Sequence, residues 1–136
     1  MLIAFGSAVG GVFRFMIYQL IDFINKTYWQ NNLKLIYLLK IPVATILVNI
    51  IGSLIAGILY LIMIKNFNNF SPILKNFLMA GVLAGFTTFS TFSLDCLRLI
   101  ESTQYGYAMI YILTSVFGSI FAVFLGFYLA KIILFN

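Results

Sequence analysis

Between Ile41 and Ile64 the chain carries no charged side chain, and three further stretches of similar length are nearly as apolar. That pattern leaves little choice of solvent. A bilayer core about 30 Å thick is crossed by roughly 20 apolar residues in a helix. Lipid offers the backbone no hydrogen bonds, so only helices and closed barrels span it. Composition agrees: 8% of residues are charged, against about 25% in soluble domains. The expectation is an all-α membrane protein, with residues 1–136 forming a single domain of four transmembrane helices at about 2–23, 41–64, 73–94 and 105–134. The first stretch lacks a basic leader and runs on too long for a signal peptide, so it reads as a retained span. One cysteine, Cys96, and no histidine exclude an internal disulfide and a Cys/His metal site. They also leave no acid–base pair for an enzyme. Cys96 reads as packing.

The connections give almost no sidedness. The polar stretch from Asn25 to Lys40 offers Tyr28 and Trp29 as interfacial anchors, and Lys65 to Lys75 is rich in asparagine. The third connection, around Arg98 to Gln104, is short. Four spans put both termini on one side. That side carries Lys65, Lys75 and Lys131; the other carries Lys26, Lys34, Lys40 and Arg98. Orientation follows Lys/Arg bias in short loops, and a difference of one residue is nearly no instruction. The charge pattern therefore fits a chain that inserts both ways up and pairs with an inverted copy, which would supply the inverted repeat of many transport folds. A weakly biased single orientation is the plainer alternative.

The third span is not built for lipid throughout. In Gly85-Phe86-Thr87-Thr88-Phe89-Ser90-Thr91-Phe92-Ser93 every third residue is a phenylalanine, and five side chains are hydroxyls. Hydroxyl and β-branched residues compete for backbone hydrogen bonds and weaken a helix locally. Loosened backbone at membrane depth survives only where protein buries it or a polar path runs beside it. The run predicts a third helix broken mid-membrane, and with it a candidate ion or substrate site.

Other residues are equally out of place in hydrocarbon. Arg14 falls mid-way along the first span, where a basic residue costs about 2.5–3.5 kcal/mol to insert. It reads either as an anion attractor in a wet vestibule or as a structural arginine satisfied by carbonyls. Nearby Gly6, Gly10 and Gly11 would let another helix approach. Thr45, Asn49 and Ser53 recur every fourth residue and form one polar stripe, flanked by Gly52, Ala56 and Gly57. Asn49 alone could be interhelical glue. Tyr111, Ser115 and Ser119 form a second stripe, beside Gly118, Ala122, Gly126 and Ala130. Serines that simply back-bond to their own helix are the plainer case. Phe89 and Phe92 are ordinary core candidates, yet ring edges are electropositive and could receive a small anion. Asp95 reads as a solvated carboxylate near the span end.

Taken in order, Gly10-Gly11-x-x-Arg14-Phe15, Asn49-x-x-Gly52, Gly81 through Ser93, and the Tyr/Ser stripe of span four resemble the Fluc (CrcB) fluoride-channel family over essentially the whole chain. The resemblance implies an antiparallel, dual-topology homodimer with two fluoride pores, each lined by both subunits. It implies Phe89 and Phe92 as pore phenylalanines, Asn49 as the pore amide, Ser115 and Ser119 in a polar track, Thr91 adding a hydroxyl, and Tyr111 near one mouth. Arg14 would be the vestibule arginine. A structural sodium ion (Na+) would lie on the dimer axis, held by the carbonyls of Ala84 and Thr87 from each subunit. Ala84 stands where the family usually has glycine, Asp95 where glutamate is common, and Phe15 where tyrosine is frequent.

The function implied is fluoride-selective export across the inner membrane, down the electrochemical gradient. A four-span proton-coupled drug exporter needs a membrane-embedded glutamate in span one, where this chain has Arg14. A scaffold or accessory subunit explains the glycines but not the amide, phenylalanine and hydroxyl set. If the charge count is read correctly, a single cysteine placed in one connection of a Cys96→Ser background labels from both faces of the membrane. Labelling from one face alone would refute dual insertion.

Overall fold

The computed structural model describes residues 1–29, 40–65 and 70–135, and among them every regular element is helical. Four helical segments are long and apolar enough to cross a membrane: Leu2–Thr27, Val43–Lys65, Pro72–Glu101 and Tyr105–Leu134. The elements are α1 (Leu2–Ile24), which ends in a short π-helical turn (Asn25–Trp29), α2 (Val43–Lys65), α3 (Pro72–Asn76), a longer π-helical stretch (Phe77–Leu83), α4 (Ala84–Phe86), α5 (Phe89–Glu101) and α6 (Tyr105–Phe135). The side chains of Tyr28 and Trp29, read as interfacial anchors, lie outside the described residues, as does Lys34 of the charge count.

Local chemistry sets the ends of these elements. Ser71 caps α3 by accepting the Leu74 N–H at 3.2 Å, and Pro72 occupies the first helical position, where its missing N–H costs nothing. In the π-helical stretch the Ala84 N–H reaches the Met79 carbonyl, five residues back. Such a wide turn frequently marks a functional site. The third span runs seven residues past the expected end at Leu94, because α5 continues through Asp95 and Arg98 to Glu101. It stops in a tight turn in which the Gln104 N–H bonds the Leu99 carbonyl and the Thr103 N–H the Ile100 carbonyl, both at 2.9 Å. Thr103 adopts φ 58° there, a left-handed conformation that suits glycine better than a β-branched residue.

Two close pairings organise the bundle. The most extensive contact is between α2 and α6. A Cβ on Gly57 would collide with the Val123 backbone, and one on Gly126 with the Leu54 backbone, so these helices meet main chain to main chain. The small-residue stripe of the fourth span thus packs as read, with Ala122 and Ala130 buried beside it. The second pairing sets α1 against the π-helical stretch and α4. Gly6 and Gly10 lie against the backbone of that segment, whereas Gly11 faces open space. At one position from Gly10, Gly11 points about 100° round the helix, and no other helix of this chain approaches it. A small core of Ile46, Leu99, Ala108 and Tyr111 joins α2, α5 and α6, with Cys96 and Phe92 packed against it.

The strain at Thr103 is removable. Thr103→Gly should stabilise the protein by about 0.5–1 kcal/mol, the left-handed penalty less the added chain entropy. The check is a raised midpoint of thermal unfolding in detergent.

Candidate functional site

Helical backbone ends at Phe86 and resumes at Phe89. Between them Thr87 (φ −75°, ψ 159°) and Thr88 (φ −150°, ψ 118°) are extended. Backbone released within a segment apolar enough to span a membrane needs partners from protein, and it finds them on side chains from two other helices. Asn49 of α2 takes the Thr88 N–H on Oδ1 at 2.9 Å and gives Nδ2–H to the Thr88 carbonyl at 3.1 Å. Arg14 of α1 gives Nη1–H to the Thr87 carbonyl at 3.3 Å. Thr88 then caps α5: its Oγ1 accepts the Thr91 N–H at 3.2 Å and lies 2.9 Å from Thr91 Oγ1. Thr87 Oγ1 folds back onto the Leu83 carbonyl at 2.9 Å.

A groove of about 520 Å³ opens beside these two threonines. It gathers most of the residues singled out from the sequence: Asn49, Phe89, Phe92, Ser115, Ser119, Ala84 and Thr87 all line it. The Phe89 and Phe92 rings are 5.5 Å apart, and Phe89 is 78% exposed. Ser115 is 4% exposed, and its Oγ is among three buried side-chain polar atoms of the described residues that have no hydrogen-bond partner. It does not back-bond to its own helix. A hydroxyl in that condition, on a residue that lines the groove, has a donor to offer.

Thr91 and Tyr111 do not line the groove. Thr91 is engaged beneath Thr88, and Tyr111 is completely buried with its ring 5.3 Å from that of Phe92. The two polar stripes therefore divide. Their middle and later members (Asn49 and Ser53; Ser115 and Ser119) face the groove, while Thr45 and Tyr111 turn into the core.

What Thr45 and Tyr111 meet there corrects the reading of Asp95. It is not a solvated terminal carboxylate; it is 8% exposed. Its Oδ2 accepts from Thr45 Oγ1 at 3.0 Å and from Tyr111 OH at 3.3 Å, and its Oδ1 faces Arg98 Nη1 at 3.3 Å. Tyr18 OH lies 2.7 Å from Thr45 Oγ1 and extends the network to α1. The physical reason is the continuation of α5. Because the helix does not end near Leu94, Asp95 points at α2 and α6, and their hydroxyls supply the donors that water would have supplied. The spacing of Tyr18, one helical turn after Arg14, was the available signal for its part in this. Thr88 was also missed as a cap, although Thr88-x-x-Thr91 at the restart of a helix has the spacing of one.

Backbone carbonyls are the available metal donors, since no cluster of His, Cys, Asp or Glu among the described residues could hold an ion. Asn49 takes the Thr88 N–H that would otherwise close a helical turn on Ala84, so the Ala84 carbonyl is released from that bond. The Thr87 carbonyl keeps one lone pair beyond the one facing Arg14. Both are hard oxygen donors of the kind alkali and alkaline-earth cations prefer.

Comparison with known proteins adds a consistent set of relatives. The profile of the family described as CrcB-like protein, Camphor Resistance (CrcB), matches residues 1–127. A protein of Francisella philomiragia subsp. philomiragia is 40% identical over 130 residues, covering 93% of this chain and 90% of its own length. One from Agrobacterium fabrum is 38% identical over 130 residues, with 96% and 94% covered. One from Campylobacter jejuni subsp. jejuni is 34% identical over 131 residues, with 96% of each covered. All three bear the name fluoride-specific ion channel FluC.

Thr88→Val keeps the β-branched shape and removes the capping oxygen. It should cost about 1 kcal/mol of stability, the usual penalty for a lost N-cap. A thermal midpoint in detergent equal to that of the unaltered protein would show that the cap contributes nothing.

Proposed function

The chain belongs to the CrcB family, and from that premise we propose that it is a fluoride-selective channel, not an enzyme, letting cytoplasmic fluoride leave the cell down its electrochemical gradient. The observation that carries the reading is the convergence of Asn49, Ser115, Ser119, Phe89 and Phe92 on one groove beside the extended Thr87–Thr88 backbone. Fluoride is small and strongly hydrated, so a path for it must replace lost water with donors. The second N–H of Asn49 and the serine hydroxyls are donors of the right kind, and phenyl edges add positive electrostatic potential without a fixed charge.

The groove wall is mostly apolar, with the Asn49 amide and the Ser53, Ser115 and Ser119 side chains set into it, and such polar groups are poorly placed against acyl chains. A second copy covering it would turn an open groove into a closed path. With the near-absence of charge bias, this supports an antiparallel, dual-topology homodimer in the inner membrane, in which two grooves become two pores and the third span is broken at mid-membrane. In that assembly the carbonyls of Ala84 and Thr87 from both copies would hold a structural sodium ion. Bound there, the ion would staple the two interrupted spans together and offset part of the cost of anion entry. Thr91 and Tyr111 then support the path from behind Thr88 and Phe92 rather than from its wall, and Arg14 stands at the interrupted backbone. Export follows from chemistry outside the protein: hydrogen fluoride entering from weakly acidic surroundings ionises in the cytoplasm, and the membrane potential expels the anion.

Purified protein reconstituted in liposomes should release fluoride rapidly and retain chloride when efflux is followed with ion-selective electrodes. Phe89→Ile removes the ring edge, and Asn49→Asp removes the amide donor and adds a repelling charge; each should lower fluoride efflux at least about tenfold. Equal release of both halides would defeat the selectivity, and normal flux in both variants would defeat the placement of the path.

A further inference from the structure

The peptide unit between Thr87 and Thr88 is gripped at both polar ends, from two different spans. Its carbonyl receives Arg14 Nη1 at 3.3 Å, and its N–H is received by Asn49 Oδ1 at 2.9 Å. Arg14 is half-buried and belongs to neither of the ion pairs among the described residues, which are Lys26–Asp22 and Arg98–Asp95. Its guanidinium reaches a neutral carbonyl at the one place in the third span where helical hydrogen bonding lapses. An arginine held at mid-span only to attract anions has no need of that contact. An interrupted helix does need it, because an unmet carbonyl in the bilayer interior is costly.

We infer that Arg14 is a positioning residue: it fixes the Thr87–Thr88 peptide against α1, and so sets the direction in which α5 leaves the interruption and the stations of Phe89 and Phe92. The chain of consequence is short. Thr88 is the cap of α5 and Phe89 its first residue. A rotation of the peptide about its neighbouring bonds would carry the cap, the first turn and both rings with it. Asn49 by itself holds the N–H of this unit and the carbonyl of the next. With one end released, the plane of the Thr87–Thr88 peptide is fixed from α2 alone. The guanidinium suits the task because it is planar, permanently charged and rigidly forked, whereas a lysine offers a more mobile point donor.

The consequence for flux rests on the channel reading above; the backbone consequence does not. The test compares the unaltered protein with Arg14→Met and Arg14→Lys in liposomes, measuring initial fluoride efflux against internal fluoride concentration. In parallel, hydrogen–deuterium exchange is followed over residues 87–93. A positioning role predicts that Arg14→Met lowers the maximal rate on the order of tenfold, the scale of one lost charge-assisted bond, with the half-saturating concentration unchanged. Exchange over the segment should rise, and Arg14→Lys should recover part of both. An anion attractor predicts the opposite split: a raised half-saturating concentration, an unchanged maximal rate and unchanged exchange. That result would overturn the inference. Should Arg14→Met not assemble, Arg14→Lys decides alone, since a looser donor still raises exchange if Arg14 holds the peptide and leaves it unchanged if it does not. An unaltered protein that moves no fluoride would refute the channel, while the exchange comparison would still decide the role of Arg14.

Discussion

A main-chain amide that leaves the helix within a membrane-length apolar segment needs partners from protein, and this fold is arranged around supplying them at Thr87 and Thr88. In water the lapse would be trivial. In lipid each unmet group costs several kcal/mol, so the partners must be supplied in advance and in register. Asn49 supplies a donor and an acceptor together, Thr88 supplies its own cap to α5, and Arg14 supplies a donor for the Thr87 carbonyl. For Asn49 and Arg14 to arrive there, α1 and α2 must lie close to the third span. The glycines at Gly6 and Gly10 admit α1 to within backbone contact. Gly52, directly against the Thr87 and Phe86 side chains, admits α2. Packing by small residues and satisfaction of the interrupted backbone are thus one design requirement seen from two sides.

The groove assigned to the proposed path is a by-product of the same arrangement. Extended residues take more length than helical ones and carry their side chains and carbonyls away from the helix axis. Beside them a space opens that α6 lines with Ser115 and Ser119. The donors that hold the interruption and those that would serve an anion are therefore neighbours, and Asn49 belongs to both sets. Its Oδ1 and one N–H are committed to Thr88, which leaves a single N–H for a passing ion. Holding the amide rigid in this way also aims that N–H, and a donor already oriented costs no reorganisation when the anion arrives.

Much of this was legible in the chain. The four spans, and the placing of Asn49, Phe89, Phe92 and the serines beside one groove, could be read from hydropathy, hydroxyl content and four-residue spacing. Where reading fell short, the cause was a partner on a different element. Periodicity puts Thr45 with Asn49, and Tyr111 with Ser115, on one helical face, but a face is wide enough to be shared. Thr45 and Tyr111 turn towards Asp95 while their neighbours turn towards the groove. Asp95 itself looked like a span end because a carboxylate usually marks one. Only the helix running on to Glu101 and the hydroxyls of α2 and α6 show otherwise.

On the proposed channel reading, the two ionic groups deepest in the spans show how an anion path could coexist with fixed charge. Arg14 is placed before Phe89, on the Thr87 carbonyl, and Asp95 lies beyond Phe92, between Thr45, Tyr111 and Arg98. A bare cation beside the path would trap fluoride, because a strong site slows departure as much as it aids entry. A bare carboxylate would repel it. Each charge is instead engaged locally: the guanidinium donates to a dipole, and the carboxylate accepts hydroxyls and faces an exposed arginine. Between them the phenylalanine rings and the hydroxyl stripe offer only partial charges. A strongly hydrated ion needs many such weak donors in succession rather than one strong site, since passage requires that every stopping point be left as readily as it is reached.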